Sequence, residues 1–145
     1  MTEHQEGRKE RQEFDRELGA IDAKVIELFN MVAEDLPRAT DALLNGNSET
    51  VRALAERDRA IDGLYPQIEE LADHELLLQQ PAASDFRLLV SVLRVVPELE
   101  RSHDLIVNIA RRGSLVLSQD LSARSRLLIE HMGNLAAEKI GRAHV

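Results

Sequence analysis

The chain has 145 residues, of which 43% are hydrophobic and 30% charged, so it is long enough for one globular domain with its own core. Aromatic residues make up 3% and the formal net charge is −8, which argues against a basic, aromatic-rich surface for nucleic acids. The absence of Cys excludes disulfides and thiolate chemistry and fits a reducing cytoplasm, and no stretch approaches the ~20 apolar residues of a membrane span.

The first predicted elements are a polar segment and a long amphipathic helix. Residues 1–12 are charged, lack the apolar region of a signal peptide and are expected to be flexible. Over residues 14–44 the apolar side chains recur at steps of three and four, which predicts a helix that passes through Pro37. The sequence NGNS at 45–48 predicts a turn, with its second Asn or its Ser as the cap of the next helix.

Three further helices are predicted. The second extends from Glu49 to Gln80, and the third follows Pro81 and ends near Gly113. The fourth opens in the segment SQDLSARS, and its predicted inner residues are Leu121, Leu127, Leu128, Met132 and Leu135. Long helices joined by short turns predict an all-α antiparallel helical bundle.

Acidic residues interrupt the apolar faces of the second and third helices. Asp58 and Asp62 form one i,i+4 pair, and Glu100 and Asp104 form another. Helices that fold back at the predicted turn pair residues equidistant from it. Asp58 then lies near the level of His103 and Asp104. Asp62 lies near the level of Glu100. Four carboxylates in a partly desolvated seam must protonate, pair with cations or bind a metal, and oxygen ligands suit Mg, Ca, Mn or Fe better than structural zinc.

Other interpretations of these acids stay open. They could lie on a solvated face and form ion pairs with nearby arginines, namely Arg57, Arg59, Arg87 and Arg101. His103 could be a metal ligand or a hydrogen-bonding neighbour, although a lone helical His is more often solvent-facing or a satisfied polar group. Asn108 continues the row of Glu100 and Asp104 and could orient a carboxylate or a water.

No catalytic constellation is recognisable. The sequence has no Gly-rich phosphate loop, no HExxH motif and no Ser–His–Asp pattern with a plausible nucleophile turn. A di-metal carboxylate oxidoreductase would need Glu-x-x-His at the seam, and that pair is absent there. We therefore expect a protein that is not an enzyme, with a metal-free helical adaptor as the alternative to a metal-binding protein.

Three segments, in this order and spacing, resemble the PhoU family of bacterial phosphate-uptake regulators: AERDRAIDGLYPQIEEL, LLQQPAASDFRLLVSVLR and ELERSHDLIVNIARR. The resemblance covers roughly residues 14–139. It implies an all-α fold of two three-helix repeats whose E/D-x-x-x-D motifs bind clusters of iron or zinc, with magnesium and manganese not excluded. The motif positions that would carry this role are Asp58, Asp62, Glu100 and Asp104, and Arg101 and Asn108 match motif positions with a less defined role.

The resemblance also implies a function and partners. Members of the family are taken to couple the ATPase subunit of the high-affinity phosphate transporter to a sensor histidine kinase. They repress phosphate uptake and phosphate-starvation signalling when phosphate is plentiful. The resemblance therefore implies a cytoplasmic protein, or one peripheral to the inner membrane, that forms a homo-oligomer such as a dimer.

The chain departs from the family pattern in two ways. Ser102 and His103 replace a small apolar pair within the motif, so the imidazole is expected either to add a ligand or to obstruct the site. In length, residues 13–113 correspond to one repeat and 114–139 to the first helix of a second. We interpret the tail IGRAHV (140–145) as a translated sequencing adapter, and expect a longer natural chain and an uncovered apolar face that promotes self-association.

Overall fold

The computed structural model describes residues 2–78, 81–113 and 121–142, and these residues form four helices. The helices are α1 (Thr2–Asn45), α2 (Ser48–Leu78), α3 (Ala83–Arg112) and α4 (Ala123–Arg142). No strand occurs in the described ranges, and the all-α bundle prediction is confirmed. Gln80 in the predicted α2–α3 turn and the first residues of the SQDLSARS segment lie outside these ranges.

The core lies where α1, α2 and α3 pack against one another. Each helix contributes large aliphatic side chains that are at most 2% exposed: Ile21, Leu28, Val32, Leu54, Ile61, Ile68, Leu89, Val96 and Val107. Removing one such side chain from water contributes about 1.5–3 kcal/mol to folding. The three helices therefore form one packed unit. None of them is long and apolar enough to cross a bilayer, and the same holds for the described part of α4.

The turn between α1 and α2 is fixed by its own sequence. Gly46 has a φ of 69°, a left-handed conformation that Gly adopts without steric cost. Its backbone N–H donates to the carbonyl oxygen of Ala42 at 2.8 Å. The Oδ1 atom of Asn47 then accepts the backbone N–H groups of Glu49 and Thr50, both at 3.1 Å. Asn47 is therefore the residue that caps α2.

The N-terminal segment differs from the expectation. Residues 2–12, predicted to be flexible, continue α1 as helix from Thr2. Exposed ion pairs follow the helical spacing there, with Arg11 Nε lying 3.1 Å from Asp15 Oδ1. Arg11 also reaches α3, where its Nη2 atom donates to Asp85 Oδ2 at 3.3 Å. The ion pairs of Arg11 stabilise this polar part of α1, and the spacing of the apolar residues gives no sign of them.

The predicted inner face of α4 is wrong. Its large apolar residues are 45–68% exposed: Leu127, Leu128, Met132 and Leu135. The helix contacts α1 through a different side, where Ala136, Ala137 and Ile140 pack against the core. Gly133 allows this approach, since a Cβ atom there would lie 2.4 Å from the Oγ1 atom of Thr40. Residues 140–142 are helical, and the adapter interpretation of 140–145 stays a prediction.

Candidate functional site

A histidine lies buried at the junction of the first three helices. His103 of α3 is 0% exposed, and its Nδ1 atom is 2.7 Å from Asp58 Oδ1 on α2. Its Nε2 atom is 2.8 Å from Asp35 Oδ2 on α1. Ionised carboxylates only accept hydrogen bonds, so both ring nitrogens must donate. These two contacts and the raised pKa of His103 therefore favour its positively charged imidazolium form.

Two arginines complete this group, which we call the His103 cluster: Asp35, Arg38, Arg57, Asp58 and His103. Arg38 Nη1 donates to Asp35 Oδ1 at 2.9 Å. Arg57 Nε forms an ion pair with Asp35 Oδ2 at 2.7 Å, and its Nη2 donates to Glu34 Oε2 at 2.9 Å. With Glu34 included, three cationic groups face three carboxylates, so the charges balance around the buried Asp35 and His103. Arg38 and Glu34, at the edge of the group, are exposed.

The pKa values follow from this arrangement. Burial alone would raise the pKa of Asp35, but the hydrogen bond from His103 and the charges of Arg57 and His103 outweigh it, and the pKa is lowered. Burial alone would lower the pKa of His103, but its hydrogen bonds to Asp35 and Asp58 outweigh that effect, and the pKa is raised. Each partner therefore favours the charged form of the other.

Helical spacing puts the side chains of Asp35, Asp58 and His103 at one level of the bundle. Asp35 lies on the inner stripe of α1 between Val32 and Ala39, both 0% exposed. His103 lies on the corresponding stripe of α3, where apolar residues above and below it are buried. Since each helix places one polar residue on the shared axis, the three meet inside an otherwise apolar core.

Glu100 lies near the other three acids predicted from the sequence, Asp58, Asp62 and Asp104. Burial raises the pKa of Glu100, and the charges of its acidic neighbours raise it further, in the order Asp62, Asp104 and Asp58, while Arg101 opposes them. Glu100 and Asp58 are half-buried, whereas Asp62 and Asp104 are exposed. The structure therefore brings these four carboxylates to the α2–α3 seam, with two of them in solvent.

This seam does not form a ready-made metal centre. Within the described residues, no group of three or more His, Cys, Asp or Glu side chains could hold a metal ion. Asp58 already accepts a hydrogen bond from His103, and neither ring nitrogen of that imidazolium has a lone pair for a metal. Asn108 is exposed on the outer side of α3. The oxygen donors suit a hard cation in type, but their arrangement does not fit a preformed cluster.

The main residue that sequence reasoning missed is Asp35. Its signal was available, because an acid interrupts the inner stripe of α1 as Asp58 interrupts that of α2. The expected arginine pairing is only partly seen: Arg57 engages Asp35 and Glu34, neither of them a predicted site residue. Arg101 Nη1 lies 3.9 Å from Glu98 Oε2, a weak exposed contact.

Comparisons with known proteins agree on one family. The family described as "PhoU domain" matches residues 25–113. Phosphate-specific transport system accessory protein PhoU homologs from Pseudomonas putida and Aquifex aeolicus are each 30% identical, over 123 and 125 residues. These alignments cover 85% and 86% of this chain but 48% and 56% of the relatives.

A solved structure gives the same answer for the fold. The crystal structure of PhoU from Pseudomonas aeruginosa matches with a TM-score of 0.82 and 27% sequence identity. The match covers 88% of this chain and 61% of that chain. The chain thus spans about half the length of the curated relatives it matches.

Proposed function

This chain belongs to the PhoU family, and on that premise we propose that it serves as a non-enzymatic accessory and regulatory protein of a phosphate-specific transport system. The observation that carries the proposal is the family match over residues 25–113, which contains most of the packed three-helix unit. The proposed role is negative regulation of phosphate uptake and phosphate-starvation signalling. It would act through contacts with the transporter's ATPase subunit and a sensor histidine kinase at the cytoplasmic face of the membrane.

This role can be tested by expressing the chain in a bacterium that lacks its own PhoU protein. Expression of the chain in phosphate-rich medium is expected to lower a phosphate-starvation reporter and radiolabelled phosphate uptake relative to an empty vector. Direct binding of the purified chain to the ATPase subunit and to the kinase cytoplasmic region, measured by biolayer interferometry, identifies the partner. Unchanged reporter and uptake together with no binding to either protein would contradict the proposal.

Metal binding is a narrower part of the proposal. Because His103 already supplies a cation to Asp58, we propose that an added metal would be held by Asp62, Glu100 and Asp104 at the outer part of the seam. These side chains do not form a metal site as they are placed, so they would have to turn towards the ion. A bound cation would offset the like-charge repulsion among these acids. Two of the three side chains are exposed, so binding of iron, zinc, magnesium or manganese is expected to be weak.

A metal-free helical adaptor is the second candidate, and the His103 cluster favours it. A cation is already built into the core in the form of the imidazolium, and the arginines complete the neutralisation. In this case the bundle needs no metal to fold. Its melting temperature would be unchanged by a chelator.

One experiment separates the two candidates. The metal content and the melting temperature of the purified protein are measured with chelator and with added metal, beside an Asp62→Asn/Glu100→Gln double variant. A Glu49→Gln/Glu56→Gln variant removes the same charge from α2 alone and is the matched control. Metal lost only from the first double variant supports metal binding by these acids, whereas equal metal content in all three proteins would remove Asp62 and Glu100 from the site. A melting temperature that neither chelator nor added metal changes supports the metal-free adaptor.

We also propose that the chain forms a homo-oligomer. The apolar face of α4 is uncovered, with Leu127 at 67% and Met132 at 68% exposed. Exposed apolar patches of this kind mark association surfaces. Sedimentation velocity is expected to give a species larger than a monomer, and a Leu127→Glu/Met132→Glu variant is expected to shift it towards the monomer. A stable monomer of the unmodified chain would contradict this.

A further inference from the structure

The outer face of α3 carries a row of arginines. Three follow one another at intervals of seven residues, and a fourth lies at the end of the helix: Arg87, Arg94, Arg101 and Arg112. All four are exposed. At a rise of about 1.5 Å per residue, the first three span about 21 Å along the helix. The row is a basic strip on a chain whose formal net charge is −8.

Exposed apolar side chains lie beside this row. With the arginines at position g of a heptad, Leu88 and Val95 occupy position a and Leu105 occupies position d. Their exposed fractions are 44%, 38% and 57%. The core is packed by a different side of α3, where Val92 and Leu99 are buried. This helix therefore has a second apolar stripe outside the bundle. We call the stripe and its arginines the arginine face: Arg87, Leu88, Arg94, Val95, Arg101 and Leu105.

The charge of the arginine face is not neutralised by the chain itself. In the described part of the chain, Arg87 and Arg94 form no ion pair. Arg101 has a 3.9 Å contact with Glu98, and both side chains are so exposed that this contact contributes little. Glu98 is also the one acid at helical spacing from Arg94, and Arg87 has none. An acidic partner would therefore have no strong internal ion pair to displace.

Arginines on α2 show what distinguishes this face. Arg52 and Arg59 have the same spacing of seven residues and are also exposed. Acids lie at helical spacing from them, at Glu49, Glu56 and Asp62, and no large apolar residue does. The α2 stripe is thus polar with both signs of charge, whereas the arginine face is basic and apolar.

The apolar stripe of α3 continues to a cavity at the junction with α4. Ile109, the next apolar residue at position a, is 36% exposed and lines this cavity. Leu43 of α1 and Met132 of α4 line it as well, and its volume is about 270 Å³. The cavity offers an apolar anchor point beside the end of the arginine face.

Spacing and charge select the kind of partner. Apolar residues at positions a and d with cations at g are the features by which one helix pairs with another that has acids at its flanking positions. An anionic bilayer fits less well, because the net charge of the chain is −8. In addition, Leu88 and Val95 are each more than half covered and offer little side chain for insertion.

We propose that the arginine face binds an amphipathic helix of a partner protein, with apolar residues at heptad positions and Asp or Glu beside them. The helix packs along α3 at the coiled-coil angle of about 20°, and one of its apolar side chains enters the cavity beside Ile109. His103 and the α2–α3 seam lie on other sides of α3, so this binding is independent of any metal held there.

Fluorescence anisotropy of a labelled synthetic peptide, titrated with the whole chain, tests the proposal. The probe has about four heptads with Ile at a, Leu at d and Glu at e and g, where the glutamates oppose its self-pairing. Saturable binding that weakens as salt is added is expected, because salt screens exposed charges. The same peptide with Lys at e and g is expected not to bind. No saturable binding of the acidic peptide, or equal affinity for both peptides, would overturn the proposal.

Matched double variants locate the binding. Arg87→Glu/Arg94→Glu is expected to weaken it about tenfold or more, because two attractive charges become repulsive. Arg52→Glu/Arg59→Glu makes the same change at the same spacing on α2 and is expected to stay within about threefold. All four positions are exposed, and circular dichroism checks that both variants fold. Equal weakening by the two variants would mean that the peptide responds only to net charge, which contradicts a site on α3.

A third variant tests the apolar part of the face. Leu88→Gln/Leu105→Gln keeps every arginine and is expected to weaken binding about fivefold or more, because the apolar contacts at positions a and d are lost. Unchanged affinity would reduce the contact to charge alone and would count against a packed helix.

Two other occupants are distinguished with Arg87→Glu/Arg94→Glu. Vesicles of equal parts phosphatidylglycerol and phosphatidylcholine are expected not to retain the unmodified chain in flotation. Retention that this variant abolishes would assign the face to a membrane and overturn the proposal. In sedimentation velocity the variant is expected to match the unmodified chain, and a shift towards the monomer would assign the face to a second copy instead.

Discussion

Asp35 and Glu75 are both buried carboxylates on inner helix faces, and the structure treats them in opposite ways. Asp35 is 0% exposed, accepts hydrogen bonds from His103 and Arg38, and lies 2.7 Å from Arg57 Nε, a buried atom that itself forms no hydrogen bond. Glu75 is 3% exposed and keeps one oxygen without a partner. The difference comes from the neighbouring helices, because α2 and α3 present cations at the level of Asp35. An acid in a core is therefore stabilising or costly according to what the facing helices supply.

The largest expected effect comes from removing the cation of the His103 cluster. His103→Leu leaves Asp35 buried with fewer partners and Asp58 without its hydrogen bond, so the free energy of unfolding should fall by about 3–5 kcal/mol. Urea denaturation followed by circular dichroism measures the change. A loss below about 1 kcal/mol, typical of a surface substitution, would mean that the cluster does not hold the three helices together.

A double variant tests the reason for that loss. His103→Leu/Asp35→Leu removes the uncompensated buried charge together with the imidazolium, and well-packed apolar replacements of buried ion pairs are often tolerated. The double variant should therefore be more stable than His103→Leu alone. If the losses of His103→Leu and of Asp35→Leu, each measured alone, add up to the loss of the double variant, coupling between these residues is absent.

The matched substitutions Asp35→Asn and Glu75→Gln should change stability in opposite directions. Asp35→Asn removes the charge from hydrogen bonds with cationic partners and should lower the free energy of unfolding by about 2–3 kcal/mol. Glu75→Gln replaces a buried carboxyl group that has one oxygen without a hydrogen-bond partner by a neutral amide, and it should raise the free energy of unfolding by about 1 kcal/mol. Urea denaturation of both variants at pH 7 gives the comparison, and two losses of similar size would contradict it.

The His103 cluster should also make stability depend on pH. The pKa of His103 is raised in the folded state, so its contribution is fully present below the unfolded value of about 6.5 and is lost as the pH rises through the folded value. Between these values the free energy of unfolding should fall by about 1.4 kcal/mol per pH unit. The pKa of Asp35 is lowered in the folded state, so its contribution to stability is lost at acid pH, as the pH falls through that lowered value.

Urea denaturation between pH 5.5 and 9 measures the alkaline part of this dependence. His103→Leu is the control, because it removes the group whose pKa is raised and should abolish the decline. A decline of equal slope in His103→Leu would assign it to other groups.

Glu100 is less buried than Asp35 and Glu75, and its substitution should have the smallest effect on the free energy of unfolding. It is half-buried, and burial and three acidic neighbours raise its pKa. Glu100→Gln removes like-charge repulsion and should raise the free energy of unfolding by less than about 1 kcal/mol, as expected for partly exposed charges. Glu98→Gln on the same helix is exposed and should show no comparable gain. A marked loss in Glu100→Gln would show that the carboxylate has a stabilising partner.

The sequence was sufficient for the helices and for part of the site. Step-three and step-four apolar spacing predicted the bundle, and equal distance from the α2–α3 turn brought Glu100 into line with Asp62. The same spacing missed the helix over residues 2–12, in which Arg11 forms ion pairs with Asp15 and Asp85. It also failed for α4, since periodicity identifies residues that share a face but not whether another helix covers that face.

By itself the sequence determined the family, the helix order and the acidic motifs, because these depend on residue type and spacing along the chain. Only the tertiary structure decided which polar groups meet. It placed His103 between Asp35 and Asp58, which lie 68 and 45 residues away in the chain, and it left the Oε2 atom of Glu75 without a partner. Hydrogen bonds depend on distances of about 3 Å between atoms of different helices, and no spacing within one helix specifies those distances.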